Sequence, residues 1–305
     1  MPGRDARRGF RDALGAAVSG GRPLILDGAI GTEIDDRGAD TGAPLWSGRA
    51  PLEQPALLEA IQAEYAEAGA DLLTTCTFRT TRWTFASAGR PDGQWRDAAR
   101  AAIDIARRAA KAAGALVLGS MGPLEDCYRP DLAPESREAE QEHFALASLL
   151  VGAGVDALLL ETFPSAAEVL AAASAAARAG KREKVPFFAS VVTRANGDLL
   201  SGEPLAETAR ALVGCGAIAV GINCVPPAFV DVALDVLLRE NAAPVSVYAN
   251  LGRAEERQGW AGDAYMNPEE YAALAQGWVK RGVSIIGSCC GSKPAHTAAL
   301  AALFR

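Results

Sequence analysis

Short runs of consecutive apolar residues, several rich in β-branched side chains, recur along the chain: 23–28 (PLILDG), 71–76 (DLLTTC), 115–120 (ALVLGS), 155–161 (VDALLLE), 186–192 (PFFASVV), 217–223 (AIAVGIN), 244–250 (PVSVYAN) and 283–288 (VSIIGS). Apolar runs without alternation suit strands buried on both faces of a parallel sheet. Between them lie Ala-, Leu-, Glu- and Arg-rich stretches with helical spacing, such as 54–69, 94–114 and 165–180, each closing at or near a glycine as helix ends often do. The stretches 267–282 and 293–305 carry a proline at their start, where the first turn of a helix accepts it.

Eight strand candidates, each followed by a helix candidate, close most economically as a (β/α)8 barrel, a single domain over 1–305 with residues 1–20 as an N-terminal helical extension. A doubly wound open sheet is the alternative. Its dinucleotide-binding form is disfavoured because no GxGxxG follows the first strand. The loops after strands 1, 3 and 7 (28–53, 121–136 and 251–266) are the longest, and long loops on one barrel face are where binding surfaces form.

Composition narrows the function. The net charge is −7 and the two signs are mixed along the chain, so no basic stripe invites nucleic acid. No apolar run has the length of a membrane span. The first twenty residues carry arginines but also two aspartates and no long apolar core, and read as a helix, not a signal peptide. The expected setting is therefore the cytoplasm, where structural disulfides are rare. Six cysteines then call for a metal, a catalytic thiol or burial. Small-molecule substrates are the expected partners, and self-association stays open.

Barrel chemistry happens at the C-terminal ends of the strands. Those ends carry Asp27, then Thr75 and Cys76, Glu161, Asn223 and Cys224, Asn250, and finally Cys289 and Cys290. Strands 6 and 8 are two apart around the ring, so three cysteines converge. Beyond a strand tip the alternation of side chains lapses, and Gly287 and Gly291 are expected to let both neighbouring sulfurs turn to one point. A three-cysteine set is soft and selects zinc, and three protein ligands leave a fourth tetrahedral position open. Three thiolates overcompensate the ion's charge, so such a centre suits binding and ionising a substrate thiol for attack on a carbon electrophile. A free thiol has a pKa of about 8.5, and metal coordination deprotonates it. The carboxylates would hold a cationic amine on that thiol.

The pieces 26–34 (LDGAIGTEI), 64–81, 119–124, 154–165 (GVDALLLETFPS), 197–207, 221–227 (GINCVPP), 248–253 and 285–296 (IIGSCCGSKPAH) together resemble the zinc-dependent homocysteine S-methyltransferase family, nearly end to end. The resemblance implies a single barrel that makes methionine from homocysteine and a methyl donor. It implies Cys224, Cys289 and Cys290 as zinc ligands and Asp27 and Glu161 as the groups orienting the substrate amine. It adds main-chain groups near Gly28 and Ala29, with Thr75, to the amino-acid pocket, and Asn223 to the substrate-binding residues from just behind it.

The chain departs from that pattern in two places. Ala249 and Arg253 stand where relatives often have the Pro and Glu of Pro-Asn-x-Gly-Glu. After strand 2, Phe78 is followed by Arg79, whose charge disfavours a plain aromatic cage for a quaternary ammonium and suits a donor with a carboxylate. Trp46 would add an aromatic face and Trp260 a cover. S-methylmethionine, S-adenosylmethionine, a folate and a betaine all remain open as donors.

Other reactive residues have plainer readings. Cys127 and Cys215 are expected to fill space, Cys76 is divided between burial and the site, and a vicinal Cys289–Cys290 disulfide would be a strained rival to metal binding. His143 is expected to be a surface or packing residue, His296 to be structural or to stand just behind the site, and Trp83, Trp95 and Trp278 to pack. Two other functions remain: a zinc-bearing barrel that binds or acts on a different small thiol without homocysteine turnover, and redox use of the cysteine pair.

Overall fold

The computed structural model describes residues 9–252 and 266–305; Arg253 and Trp260 lie outside them. Among these residues eight parallel strands run β1 (Leu24–Ile25), β2 (Leu72–Thr74), β3 (Leu116–Met121), β4 (Ala157–Phe163), β5 (Phe187–Val191), β6 (Val220–Asn223), β7 (Val245–Ala249) and β8 (Val283–Ser288). The hydrogen-bonded order is β1-β8-β7-β6-β5-β4-β3-β2. A parallel bridge between Leu26 and Leu72, with the Asp27 N–H donating to the Leu72 carbonyl at 3.0 Å, joins the two ends of that series into a barrel. All eight expected strands are present. β1 is short, and it bonds both neighbours at once: the Leu26 N–H donates to the Ile286 carbonyl of β8 at 2.8 Å, and the Ile25 carbonyl accepts from Asp71 N–H, just before β2, at 2.8 Å.

The helices follow the polar and apolar spacing. The expected 94–114 helix runs Gln94–Ala113 and stops at Gly114, whose φ of 74° is left-handed. The 165–180 helix, Ala166–Gly180, starts at Ser165, whose hydroxyl accepts the Glu168 N–H. The 267–282 helix, Pro268–Lys280, opens with a reciprocal cap between Asn267 and Glu270.

The N-terminal stretch is more than an extension. Its helix, Phe10–Val18, buries Phe10 and Leu14 among the barrel-interior residues Leu24, Leu26, Leu118, Leu159, Phe188 and Ile285. Phe10 stacks on Phe188 with ring centroids 5.3 Å apart. The helix therefore fills the inner core at the N-terminal half of the strands, leaving the C-terminal mouth for chemistry. Among the described residues no helix is long and apolar enough to cross a membrane.

Candidate metal centre and substrate cavity

The strand tips open into a cavity of about 510 Å³. Cys224, Cys289 and Cys290 all line it, and their three sulfurs lie within 4.8 Å of one another. Cys224 leaves β6 with a left-handed φ of 53°, held by its N–H on the Tyr248 carbonyl at 3.0 Å. The Cys289 N–H donates to Ala249 at 2.8 Å, and the Cys290 carbonyl accepts from Leu251 at 2.7 Å. The β7 tip thus fixes both cysteine-bearing turns.

Of the two glycines expected to free this turn, only Gly291 is left-handed, at φ 77°, and a Cβ there would lie 2.3 Å from Gly252. Gly287 instead stays in β8, where a Cβ would meet Leu26 at 2.7 Å. All six cysteines are free, so the vicinal pair is not bridged.

The Cys224 thiol donates to the Cys290 sulfur at 3.5 Å. Hydrogen bonds from Cys224 and Cys289 hold the Cys290 thiol well below its ordinary range. Three thiolates this close would repel one another without a cation among them. A soft divalent ion suits the set, with a tetrahedral position to spare. Beside the sulfurs, the Tyr128 hydroxyl lies 3.1 Å from Cys224 Sγ and accepts from Asn250 Nδ2 at 3.3 Å.

The two expected carboxylates line the same cavity. Asp27 is 2% exposed and accepts the Thr74 N–H at 2.7 Å and the Thr74 hydroxyl at 3.0 Å. Burial pushes its pKa up to about 8 against those bonds, and the nearby Glu161 adds to the rise. Glu161 accepts from the Ser120 hydroxyl. Burial, assisted by Cys224, raises Glu161 to about 7. Glu161 stands at a register shift between β4 and β5, followed by Thr162 at a left-handed φ of 64°. A cationic amine placed between the two acids would restore their ionisation.

Three expectations need correction or refinement. Asn223 does not line the cavity. It is fully buried, and both ends of its amide are bonded to Thr162, so it shapes the turn that carries Glu161 from behind the cavity wall. Thr75 lines the cavity, but its hydroxyl accepts from Ser120 N at 3.1 Å and gives its proton to Thr77, which in turn donates to the Ser120 carbonyl. It has no proton left for a ligand. At the Gly28–Ala29 corner the Ala29 N–H is already taken by the Ser292 hydroxyl at 3.1 Å. Gly28 supplies the amide that is unbonded among the described residues.

Arg79 lines the cavity with Phe78 and Trp46. Its Nη1 donates to the carbonyls of Pro123, at 3.1 Å, and Glu125, and the guanidinium sits 5.2 Å from the Phe78 ring centroid. Trp46 meets Phe78 edge to face at 5.8 Å. Both rings lie over glycines: a Cβ on Gly31 would meet Trp46 at 2.2 Å, and one on Gly122 would meet Phe78 at 2.5 Å.

Cys127 and Trp83, expected only to pack, also line the cavity, the indole N–H of Trp83 donating to Glu125 Oε1 at 2.7 Å. Trp83 sits in the short helix Arg82–Ser87 after β2, and Cys127 and Tyr128 lie in the loop after β3, whose length was their one sequence signal. Cys76 lines the cavity but is buried, donates to the Ser47 carbonyl, and is pushed up by burial to about 12. Cys215 stays at the end of helix Leu205–Gly214. His143 is buried beside Glu168 at 3.3 Å, a packing and not a surface residue, and His296 Nδ1 accepts the Lys293 N–H at 3.0 Å, a structural role.

The fold and the site define a class: a single (β/α)8 barrel whose mouth gathers three cysteines and two carboxyls, Asp27 buried and Glu161 half-buried, in one cavity. Within that class, the chain belongs to the homocysteine S-methyltransferase family, whose model matches residues 24–304. A homocysteine S-methyltransferase of Escherichia coli is 32% identical, over 92% of this chain and 94% of that protein. A selenocysteine methyltransferase of Astragalus bisulcatus is 27% identical, over 90% of each chain. The metallated form of the homocysteine methyltransferase MmuM from Escherichia coli superposes with a TM-score of 0.80 at 29% identity, covering 95% of this chain and 99% of that one.

Proposed function

We propose that this protein transfers a methyl group from a sulfonium donor, S-methylmethionine or S-adenosylmethionine, to homocysteine, giving methionine, and that zinc is its metal. The observation that carries this reading is the meeting of three sulfurs, within 4.8 Å of one another, with Asp27 and Glu161 in one cavity. Cys224, Cys289 and Cys290 would hold zinc, which when bound keeps the acceptor thiol ionised at neutral pH.

The chain's own residues do the rest. Asp27 and Glu161 bind the homocysteine ammonium and so fix where its sulfur points. Gly28 offers a main-chain amide to the carboxylate. Thr74 and Ser120 hold the two acids in place. The acceptor sulfur forms a bond to the donor methyl carbon while the donor C–S bond breaks, its electron pair returning to the donor sulfur as a neutral thioether. Low solvent access at the floor of the cavity protects the thiol and the sulfonium from water. Free thiols in such numbers suit a reducing cytoplasmic setting.

The test is a donor screen with homocysteine, scored by methionine formed in the zinc-loaded protein. Tight homocysteine binding with no turnover from any donor would instead favour a barrel that binds a thiol without transferring methyl groups.

A further inference from the structure

An acceptor amino acid held at Asp27 and Glu161 leaves another wall of the cavity without an assigned ligand. That wall comes from the segments that follow β1, β2 and β3 and carries Trp46, Phe78, Arg79, Trp83 and Glu125. Its parts are interlocked. Arg79 Nη1 is bound by the carbonyls of Pro123 and Glu125, while Arg79 Nη2 and Nε have no partner among the described residues. Glu125 Oε1 accepts the Trp83 indole N–H at 2.7 Å, while Glu125 Oε2 has no partner among the described residues. Among the described residues each group is therefore fixed by one edge and open at the other. One open edge is a planar donor suited to a carboxylate, and the other an acceptor suited to an ammonium.

A guanidinium and a carboxylate on one wall, neighbours through the Arg79 bond to the Glu125 carbonyl, do not form an ion pair with each other. They present complementary charges to a third party. The ligand class that matches both is a zwitterionic α-amino acid. The rings of Trp46 and Phe78, packed edge to face with centroids 5.8 Å apart, line the same cavity and give the donor's apolar part a surface.

We infer that Arg79 and Glu125 form a second amino-acid clamp that holds the α-carboxylate and α-ammonium of the methyl donor. The inference rests on the proposed methyl transfer and adds to it the means by which donors are chosen. A betaine, whose nitrogen has no N–H to give, makes no hydrogen bond to Glu125. S-methylmethionine and S-adenosylmethionine share the head group and are both accepted by the clamp. Separate measurements with each show whether the remainder of the cavity admits the adenosyl group.

Glu125→Gln and Arg79→Lys in the zinc-loaded protein provide the test. Gln keeps the acceptor for Trp83, so the loop stays in place. The donors compared are S-methylmethionine and dimethylsulfoniopropionate, a sulfonium with a carboxylate and no amine. Glu125→Gln is expected to raise KM for S-methylmethionine by about tenfold or more, the loss of a charged hydrogen bond. It leaves KM for dimethylsulfoniopropionate and for homocysteine unchanged. Arg79→Lys raises KM for both donors.

Calorimetric binding of S-methylmethionine without homocysteine reads the clamp independently of turnover, and the same loss is expected there. Equal effects of Glu125→Gln on both donors, or no effect on either, would overturn the clamp. So would a wild-type protein that does not bind S-methylmethionine yet methylates homocysteine from another donor, an outcome that leaves the methyl-transfer reading standing. Binding that weakens in Glu125→Gln, with no methionine formed from any donor, would uphold the clamp and overturn that reading.

Discussion

The side-chain amide of Asn223 grips Thr162 at two points: its Oδ1 accepts the Thr162 N–H at 2.9 Å and its Nδ2 donates to the Thr162 hydroxyl at 2.7 Å. Thr162 has a left-handed backbone, which a β-branched residue adopts only under constraint. The grip therefore sets the direction of Glu161 from β6, two strands along the sheet, whose next residue is Cys224. Removing it in Asn223→Ala leaves a buried N–H without a partner and frees the strained turn. Stability should fall by about 2–3 kcal/mol in denaturant unfolding. KM for homocysteine should rise while the metal content is retained, since the three sulfurs are untouched.

The two cavity acids give the acceptor site a pH dependence of definite sign. In the free protein Asp27 titrates at about 8 and Glu161 at about 7, both raised by burial. An ammonium ligand binds to their ionised forms, so affinity should climb as pH rises through that interval. The product methionine carries the ammonium without a titrating thiol, and calorimetry with it isolates the effect. Weaker binding at about pH 6 than at about pH 8.5 is expected, and Asp27→Asn should flatten the curve.

The same shifts act on folding in the opposite direction. The unfolded acids lose their protons near pH 4, whereas the folded ones keep them to about 7 and 8. Their contribution to stability is thus complete below about pH 4 and is lost as pH rises through the folded values. Asp27→Asn and Glu161→Gln should therefore narrow the difference between acid and alkaline unfolding midpoints.

Much of this arrangement is legible in the chain itself. The eight strands announce themselves because residues such as Leu158, Leu159 and Leu160 are buried on both faces of the sheet, and continuous apolar runs have no other economical use. Cys224, Cys289 and Cys290 are legible because barrel topology places strand tips on one face. Less visible is anything that depends on how a loop folds back. Trp83, Glu125, Cys127 and Tyr128 carry no periodicity, and only tertiary contacts bring the Trp83 indole to Glu125 and the Tyr128 hydroxyl to Cys224. Asn223 has the chemistry of a ligand-binding residue, yet its partner, Thr162, is sixty-one positions away and inside the wall.

The N-terminal helix offers a control that separates stability from chemistry. Phe10 is 2% exposed and stacks on Phe188 inside the barrel. Phe10→Ala should cost about 3–5 kcal/mol, read as a lower unfolding midpoint, because a large aromatic leaves a cavity behind. The surviving folded molecules should keep their metal and their KM values, since the helix occupies the opposite half of the inner core.

The central claim is that three sulfurs from the tips of β6 and β8 share one soft cation. Metal analysis of the purified wild type beside Cys289→Ala tests it most directly. About one zinc per chain is expected in the wild type and a large loss in the variant, with the fold retained by circular dichroism. Equal zinc in the two proteins, or none in a folded wild type supplied with the metal, would contradict the account.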